Sequence, residues 1–172
     1  QILAEAGLDY RIRVYPWVRA HKIAQAHPNV LIYTIAHHKQ RSSNFHWFCP
    51  LTITGPVHLY HLAERPKPRL NSLADLKQYS LGITTDGLTY RFLIEHGFKA
   101  AQELDISAYE VTNIKKLLSG RIDFLPMTEL SLQRHLADLG VDRDKLQRSM
   151  TLYDSTDFPK CMAVSLGTPQ DI

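Results

Sequence analysis

The sequence predicts an α/β protein in which extended connecting chain joins two small lobes. Strand and helix patterns alternate before residue 40 and again after residue 70. Between these regions, residues 41–63 contain an aromatic run and end in an extended segment flanked by Pro56 and Pro66. An extended segment between two α/β halves is typical of a hinge in a protein whose lobes close over a ligand.

The first lobe opens with a helix end, a strand and a second helix. Residues 2–6 have the pattern of a last helical turn, which Gly7 ends. Apolar and basic side chains alternate through residues 8–15, and this alternation predicts a half-buried strand. Pro16 stands at the favoured first position of the next helix, and Pro28 ends it.

An apolar run follows at residues 29–36. Such a run predicts a strand that is buried on both faces, as parallel sheets require. The ligand-binding face of a lobe of this kind lies at the carboxyl ends of its strands. Residues 37–44, HHKQRSSN, leave the sheet from that end.

Strand and helix patterns resume after the proline-rich turn at residues 64–72. Asp86 is placed to cap the first long helix there, and glycines end three of the predicted helices. The predicted elements are helices at 73–79, 88–96, 113–119 and 129–139, with strands at 81–85, 103–107 and 122–127.

A last extended apolar segment at residues 161–165 predicts a return to the first lobe, and Thr168 and Pro169 begin a further helix. We expect residues 57–63 to pair with this segment, so that two crossings lie side by side. The expected division is lobe one at 1–56, the first crossing at 57–64, lobe two at 65–158, and the second crossing with the start of the return at 159–172.

The composition is that of a globular protein, with 172 residues, 44% apolar and 22% charged. No apolar run approaches the roughly 20 residues needed to cross a bilayer, and no secretion-signal pattern opens the chain. The net charge of +3 comes from 20 basic and 17 acidic residues scattered along the chain. This scatter favours an ordinary surface over nucleic-acid binding.

Cys49 and Cys161 fit no metal-binding or redox motif. Each lies near an expected crossing. We expect two separate buried thiols, and a disulfide is the alternative if their Cα atoms come within roughly 7 Å.

The histidines and the missing catalytic motifs argue against a metal site and an enzyme. His58 and His61 are three apart on a predicted strand and so point to opposite faces. His37 and His38 are adjacent, with no third ligand at a recognisable spacing. The chain has no GxSxG, HExxH, phosphate-loop or dinucleotide fingerprint. We therefore expect no catalytic residue, no metal and no cofactor.

Seven segments and Arg41, in order, resemble the bacterial extracellular solute-binding proteins of the polar amino-acid class. They are PWVRA, PNVLIYTIA followed by Arg41, FHWFCP, NSLADLKQYSLGI, IEHGF, KLLSGRIDFLPMTE and MAVSLGTPQDI. The resemblance implies a two-lobed periplasmic-binding-protein-like fold, incomplete at both ends of the chain.

The resemblance also implies a function. A monomer in the periplasm or outside the cell would capture an amino acid or a related carboxylate for a membrane transporter permease. The alternative is a ligand-sensing or degenerate domain of a receptor or a cell-wall enzyme.

Site residues follow from the resemblance and from the local patterns. In the family, an Arg in the place of Arg41 takes the ligand carboxylate through two parallel hydrogen bonds. His37 stands where relatives carry another basic residue, so the charge there would depend on pH. Tyr15 and Trp17 are candidates for stacking on the ligand, with core packing the alternative for Trp17.

Lobe two offers two groups of candidates. Thr84, Thr85 and Asp86 lie between a strand end and a helix start, where hydroxyls and free N–H groups meet anions. Family members place an acidic residue after the GRID strand to hold the ligand's amino group. Thr128 occupies that place here, and the carboxylate of Glu129 comes one residue later.

Overall fold

The computed structural model describes residues 2–52, 54–66, 68–85, 87–100, 102–155 and 158–169. The strands are β1 Leu31–Ala36, β2 Phe45–Thr52, β3 Val57–Leu62, β4 Leu81–Thr84, β5 Leu104–Ser107, β6 Leu125–Thr128, β7 Leu146–Tyr153 and β8 Lys160–Ser165. The α-helices are α1 Ile2–Glu5, α2 Trp17–Ala26, α3 Leu88–Glu95, α4 Glu110–Leu118 and α5 Glu129–Leu139. Short 3-10 helices cover Lys39–Asn44, Leu73–Gln78 and Arg143–Lys145.

The first unit is a three-stranded antiparallel sheet in the order β1-β8-β2, with α2 packed against it. Its core is small and apolar, and comprises Ala24, Ile32, Ile35, Phe45 and Ala163. The parallel sheet expected for residues 29–36 is wrong, because β1 runs antiparallel to β8 and Tyr33 is 55% exposed.

The strand expected at residues 8–15 is also wrong. This segment has no regular secondary structure, and its apolar side chains are exposed, with Val14 at 92%. Alternation of side chains makes a strand only where a neighbouring strand accepts its hydrogen bonds. Among the described residues none pairs with this segment.

The second unit holds the remaining strands. β3 is the centre of an antiparallel sheet in the order β6-β3-β7, and β4 pairs in parallel with β5. A parallel bridge between Leu81 and Phe124 continues this pairing toward β6. Every residue of β3 is buried, and its two faces carry separate core clusters, one with Leu59 and one with Tyr60.

The burial of β3 explains why the expected pairing of residues 57–63 with 161–165 is not formed. A strand that is buried on both faces is most stable inside a sheet, where both edges are hydrogen-bonded. β3 therefore pairs with β6 and β7, while β8 pairs with β1 and β2. Two short connections join the units instead, from β2 to β3 and from β7 to β8. They touch where Ser155 Oγ donates to the carbonyl of Gly55 at 2.6 Å.

A disulfide joins Cys49 in β2 to Cys161 in β8, with the Cα atoms 4.7 Å apart. The expectation of two separate thiols is therefore wrong. The two cysteines lie 112 residues apart, but β2 and β8 are neighbours in the sheet and bring them together. Cys49 precedes the β2–β3 connection, and Cys161 follows the β7–β8 connection. The loop that the disulfide closes therefore contains the whole second unit.

No helix in the described part of the chain is both long enough and apolar enough to cross a membrane.

Candidate ligand-binding site

A cleft of about 280 Å³ lies between the two units. Its floor includes Thr54 and Ser155, one from each connection. The first unit contributes the end of β1, the 3-10 helix after it and the start of β8. The second unit contributes the carboxyl ends of β4 and β6 and the first turns of three helices. The cleft is thus placed where ligand groups of α/β units gather.

Two cations line the wall of the first unit. Arg41 is only 3% exposed, and its guanidinium carbon lies 5.5 Å from the centre of the Trp17 ring. The 3-10 helix Lys39–Asn44 holds Arg41 there directly after β1. Lys160 is the first residue of β8, and burial lowers the pKa of its ammonium group. Arg41 also lowers that pKa, while Glu110 across the cleft raises it.

The wall of the second unit is built from helix starts. Gly87 and Thr89 at α3, Glu110 at α4, and Thr128 and Ser131 at α5 all line the cleft. The first-turn N–H groups of a helix lack intrahelical partners and carry partial positive charge. The Oγ1 atom of Thr128 accepts from the Ser131 N–H at 3.3 Å and so caps α5. Both walls therefore favour a ligand with negative charge.

Glu110 is the acidic residue among the described cleft-lining residues. Its Oε2 atom lies 3.0 Å from Nε2 of His135, and the carboxylate is 53% exposed. The hydrogen bond to Glu110 raises the pKa of His135, which favours the imidazolium form. The negative charge of Glu110 is therefore directed toward His135.

Asn113 is a buried amide at the edge of the cleft. It is 1% exposed, and within the described part of the chain its Oδ1 atom has no hydrogen-bond partner. The side chain packs over Gly82 in β4, where an added Cβ would lie 3.2 Å from Asn113 Cβ and would overlap Ile122 Cδ1. Glycine at position 82 therefore leaves room for Ile122 and lets Asn113 pack closely on β4.

No protein-family model matches the chain, and no curated protein matches its sequence. Solved structures match its fold. A histidine kinase sensor domain with similarity to periplasmic binding proteins is 16% identical, with a TM-score of 0.79 over 96% of this chain and 69% of that chain. An ancestral arginine-binding protein bound to arginine is 14% identical, with a TM-score of 0.78 over 96% and 71%. The arginine-, lysine-, histidine-binding protein of the thermophilic bacterium Geobacillus stearothermophilus is 18% identical, with a TM-score of 0.77 over 96% and 69%.

The fold is that of the two-lobed periplasmic binding proteins. In this chain the cleft lies between the two units of that fold. At these identities the likeness shows the fold, so ligand and site are argued from the residues of this chain.

Four of the residues expected from sequence line the cleft of the binding-protein fold: Arg41, Thr84, Thr128 and Trp17. Trp17 also packs on the core of the first unit. Asp86 lies outside the described residues. Four other expected residues are not in the cleft lining: His37, Tyr15, Thr85 and Glu129.

Each of these four has another contact. The His37 ring meets the Trp47 ring edge-on, with centroids 4.6 Å apart. The guanidinium carbon of Arg19 lies over the Tyr15 ring, 4.6 Å from the ring centre. The backbone N–H of Thr85 donates to the carbonyl of Ser107 at 3.3 Å.

The carboxylate of Glu129 is fully engaged away from the cleft. It accepts from Arg143 at 2.8 and 3.0 Å, from the Tyr60 hydroxyl at 2.7 Å and from Gln133 at 3.0 Å. The hydrogen bonds from Arg143 are the largest cause that lowers the pKa of Glu129 to about 2, against the opposing effect of burial. The position one residue after Thr128 therefore serves an ion pair within the second unit.

Sequence reasoning missed Lys160, Asn113 and Glu110. Glu110 and Asn113 follow a predicted strand at residues 103–107, so the rule that ligand groups gather at strand ends could have found them. No local signal marks Lys160, because only its pairing opposite Ala36 and Thr52 brings it to the cleft.

Proposed function

We propose that this chain is a binding domain that captures a small polar ligand carrying a carboxylate in the cleft between its units. The observation that carries the proposal is Arg41, a guanidinium buried to 3% exposure at the cleft wall. The fork of a guanidinium matches a carboxylate with two parallel hydrogen bonds.

The second unit supports the proposal from the opposite wall. Thr84, Thr128 and the first turns of α3, α4 and α5 face the same cleft. A ligand shifts the balance between open and closed forms only by its differential affinity for the closed form. A ligand that touches Arg41 and a helix start together has that differential affinity.

Transport and location are part of the proposal. The neighbours named for arginine-binding and for arginine-, lysine- and histidine-binding support a small polar ligand. Disulfides persist outside the reducing cytosol, so the Cys49–Cys161 bridge supports a periplasmic or extracellular site of action. There a monomer would deliver its ligand to a transporter permease in the membrane.

A second candidate function is that of a sensor domain, because a histidine kinase sensor domain matches with a TM-score of 0.79. Both functions use the same cleft, and they differ in what the chain is attached to. The sequence of the full-length protein distinguishes them. A transmembrane helix and kinase domain favour the sensor, and a signal peptide alone favours the free binding protein.

The test is a ligand screen followed by variants of Arg41. A thermal-shift screen of amino acids, small carboxylates and amines finds the ligand, because binding to the folded state alone raises its melting temperature. In titration calorimetry, Arg41→Ala should weaken carboxylate binding by about 3 kcal/mol, or roughly 100-fold, while Arg41→Lys recovers part of this. Arg69→Ala, at an exposed arginine, is the control and should change nothing.

A hit confined to amines without a carboxylate would contradict the proposal. So would an Arg41→Ala variant that binds its carboxylate with unchanged affinity.

A further inference from the structure

Lys160 is the second cation of the cleft, and it is fixed by sheet pairing. It lies opposite Ala36 at the end of β1 and opposite Thr52 at the end of β2. Its side chain is partly buried and lines the cleft. In the described part of the structure its ammonium group has no hydrogen bond and no ion pair. A partly buried ammonium of this kind calls for an anionic partner.

Glu110 attracts Lys160 across the cleft, but among the described residues it forms no ion pair with it. It lies on the other wall of the cleft, and its carboxylate pairs with His135 at 3.0 Å. The described charged residues of the lining are Arg41, Lys160 and Glu110, so two cations face the ligand and one carboxylate is already paired. The helix starts of the second unit add further partial positive charge.

Thr128 ends β6 at the cleft and offers no charge to a ligand ammonium. Its Oγ1 atom already accepts from Ser131 N–H as the cap of α5. Glu129 is committed to Arg143. An ammonium placed between Arg41 and Lys160 would be repelled by both, and the repulsion is strong where water is scarce.

We propose that the ligand is a small dicarboxylate, with one acidic group bound by Arg41 and the second by Lys160. The inference rests on the proposed function and names its ligand class. The cleft of about 280 Å³ is at the small end of ligand pockets, which fits an acid of a few carbons. Within the described part of the chain the Oδ1 atom of Asn113 has no hydrogen-bond partner, so we expect a hydroxyl on the diacid that donates to it to add affinity.

The experiment is titration calorimetry of the folded chain with four probes: malate, succinate, butyrate and L-glutamine. We expect both diacids to bind at least tenfold more tightly than butyrate, and malate more tightly than succinate. Lys160→Met should remove the advantage of the diacids, with a loss of affinity for succinate at least tenfold larger than its loss for butyrate. Lys160→Gln, which keeps an N–H donor without charge, should give the same result. Lys115→Met, at an exposed lysine, is the matched control and should bind like the parent.

Three results would overturn the dicarboxylate. Lys160→Met could bind succinate as the parent does, L-glutamine could bind more tightly than both diacids, or no diacid could bind. The proposed function survives the first two, since a carboxylate still binds through Arg41. The proposed function fails as well only if the thermal-shift screen yields no carboxylate ligand whose binding depends on Arg41.

Discussion

Glu129 and Thr128 are adjacent in sequence, yet their side chains make contacts in different parts of the second unit. Thr128 ends β6 at the cleft and caps α5, whereas Glu129 is the first residue of the helix. The Glu129 carboxylate reaches Arg143 and the Tyr60 hydroxyl beside the central sheet. A shift of one position at a helix start rotates the side chain by about 100°, which separates a cleft residue from a structural one.

The Glu129–Arg143 pair makes stability depend on pH. In the folded protein the pKa of Glu129 is about 2, below its ordinary value of 4.5. The stabilisation that Glu129 contributes is therefore complete above pH 4.5 and is lost as the pH falls toward 2. The side chains are 39% and 36% exposed, so we expect about 1 kcal/mol. Glu129→Gln should lower the free energy of unfolding in urea by that amount at pH 7, and the difference should vanish at low pH.

Glu64→Gln, at an exposed glutamate, is the control for this variant and should unfold like the parent. Glu129→Gln should also leave carboxylate binding at pH 7 unchanged. A loss of affinity in that variant would return Glu129 to the ligand site.

At the scale of elements, the Cys49–Cys161 disulfide fixes β2 to β8 just before the chain enters the second unit and just after it returns. The closed loop spans 112 residues, and cross-links of long loops restrict the unfolded chain most. Replacing both cysteines by serine should lower the free energy of unfolding by about 2–5 kcal/mol. Urea unfolding with and without reductant checks this, and the double variant should not respond to reductant.

Thiol labelling of the denatured, unreduced protein gives an independent check of the bridge. Neither cysteine should be labelled before reduction. Labelling of both would contradict the bridge.

Helices were more predictable from sequence than strands. The helix expected after Pro16 is α2, and the glycines expected to end helices, Gly97, Gly120 and Gly140, have positive φ angles. These signals are local, because a proline or glycine acts on its own backbone. β7 carried no recognised pattern, and the pairing partners of β3 and β8 depend on residues far apart in sequence.

The same limit applies to the site. Arg41 was predicted from the resemblance, as an arginine shortly after a strand, and Thr84 was predicted because it lies at the end of a strand. Lys160 and the Cys49–Cys161 bridge were not, because strand pairing brings these residues to their neighbours and sequence spacing does not reveal it.

At the scale of the whole molecule, the two units touch on both sides of the cleft. On one side Ser155 binds the carbonyl of Gly55 across the two connections. On the other, the Gln40 side chain accepts from Arg91 at 3.1 Å and donates to Glu95 at 3.3 Å. The Gln40 contacts are exposed, and exposed polar contacts contribute little net stability. Under the proposed function, we expect closure over the cleft to depend chiefly on the contacts that the ligand makes.

The central claim is that one ligand is held by both units at once, and a titration of the ¹⁵N-labelled protein with succinate tests it most directly. Amide signals of Arg41 and Lys160 in the first unit, and of Asn113 and Ser131 in the second, should shift together with one dissociation constant. Shifts confined to one unit, or centred on Tyr15 outside the cleft, would contradict the claim.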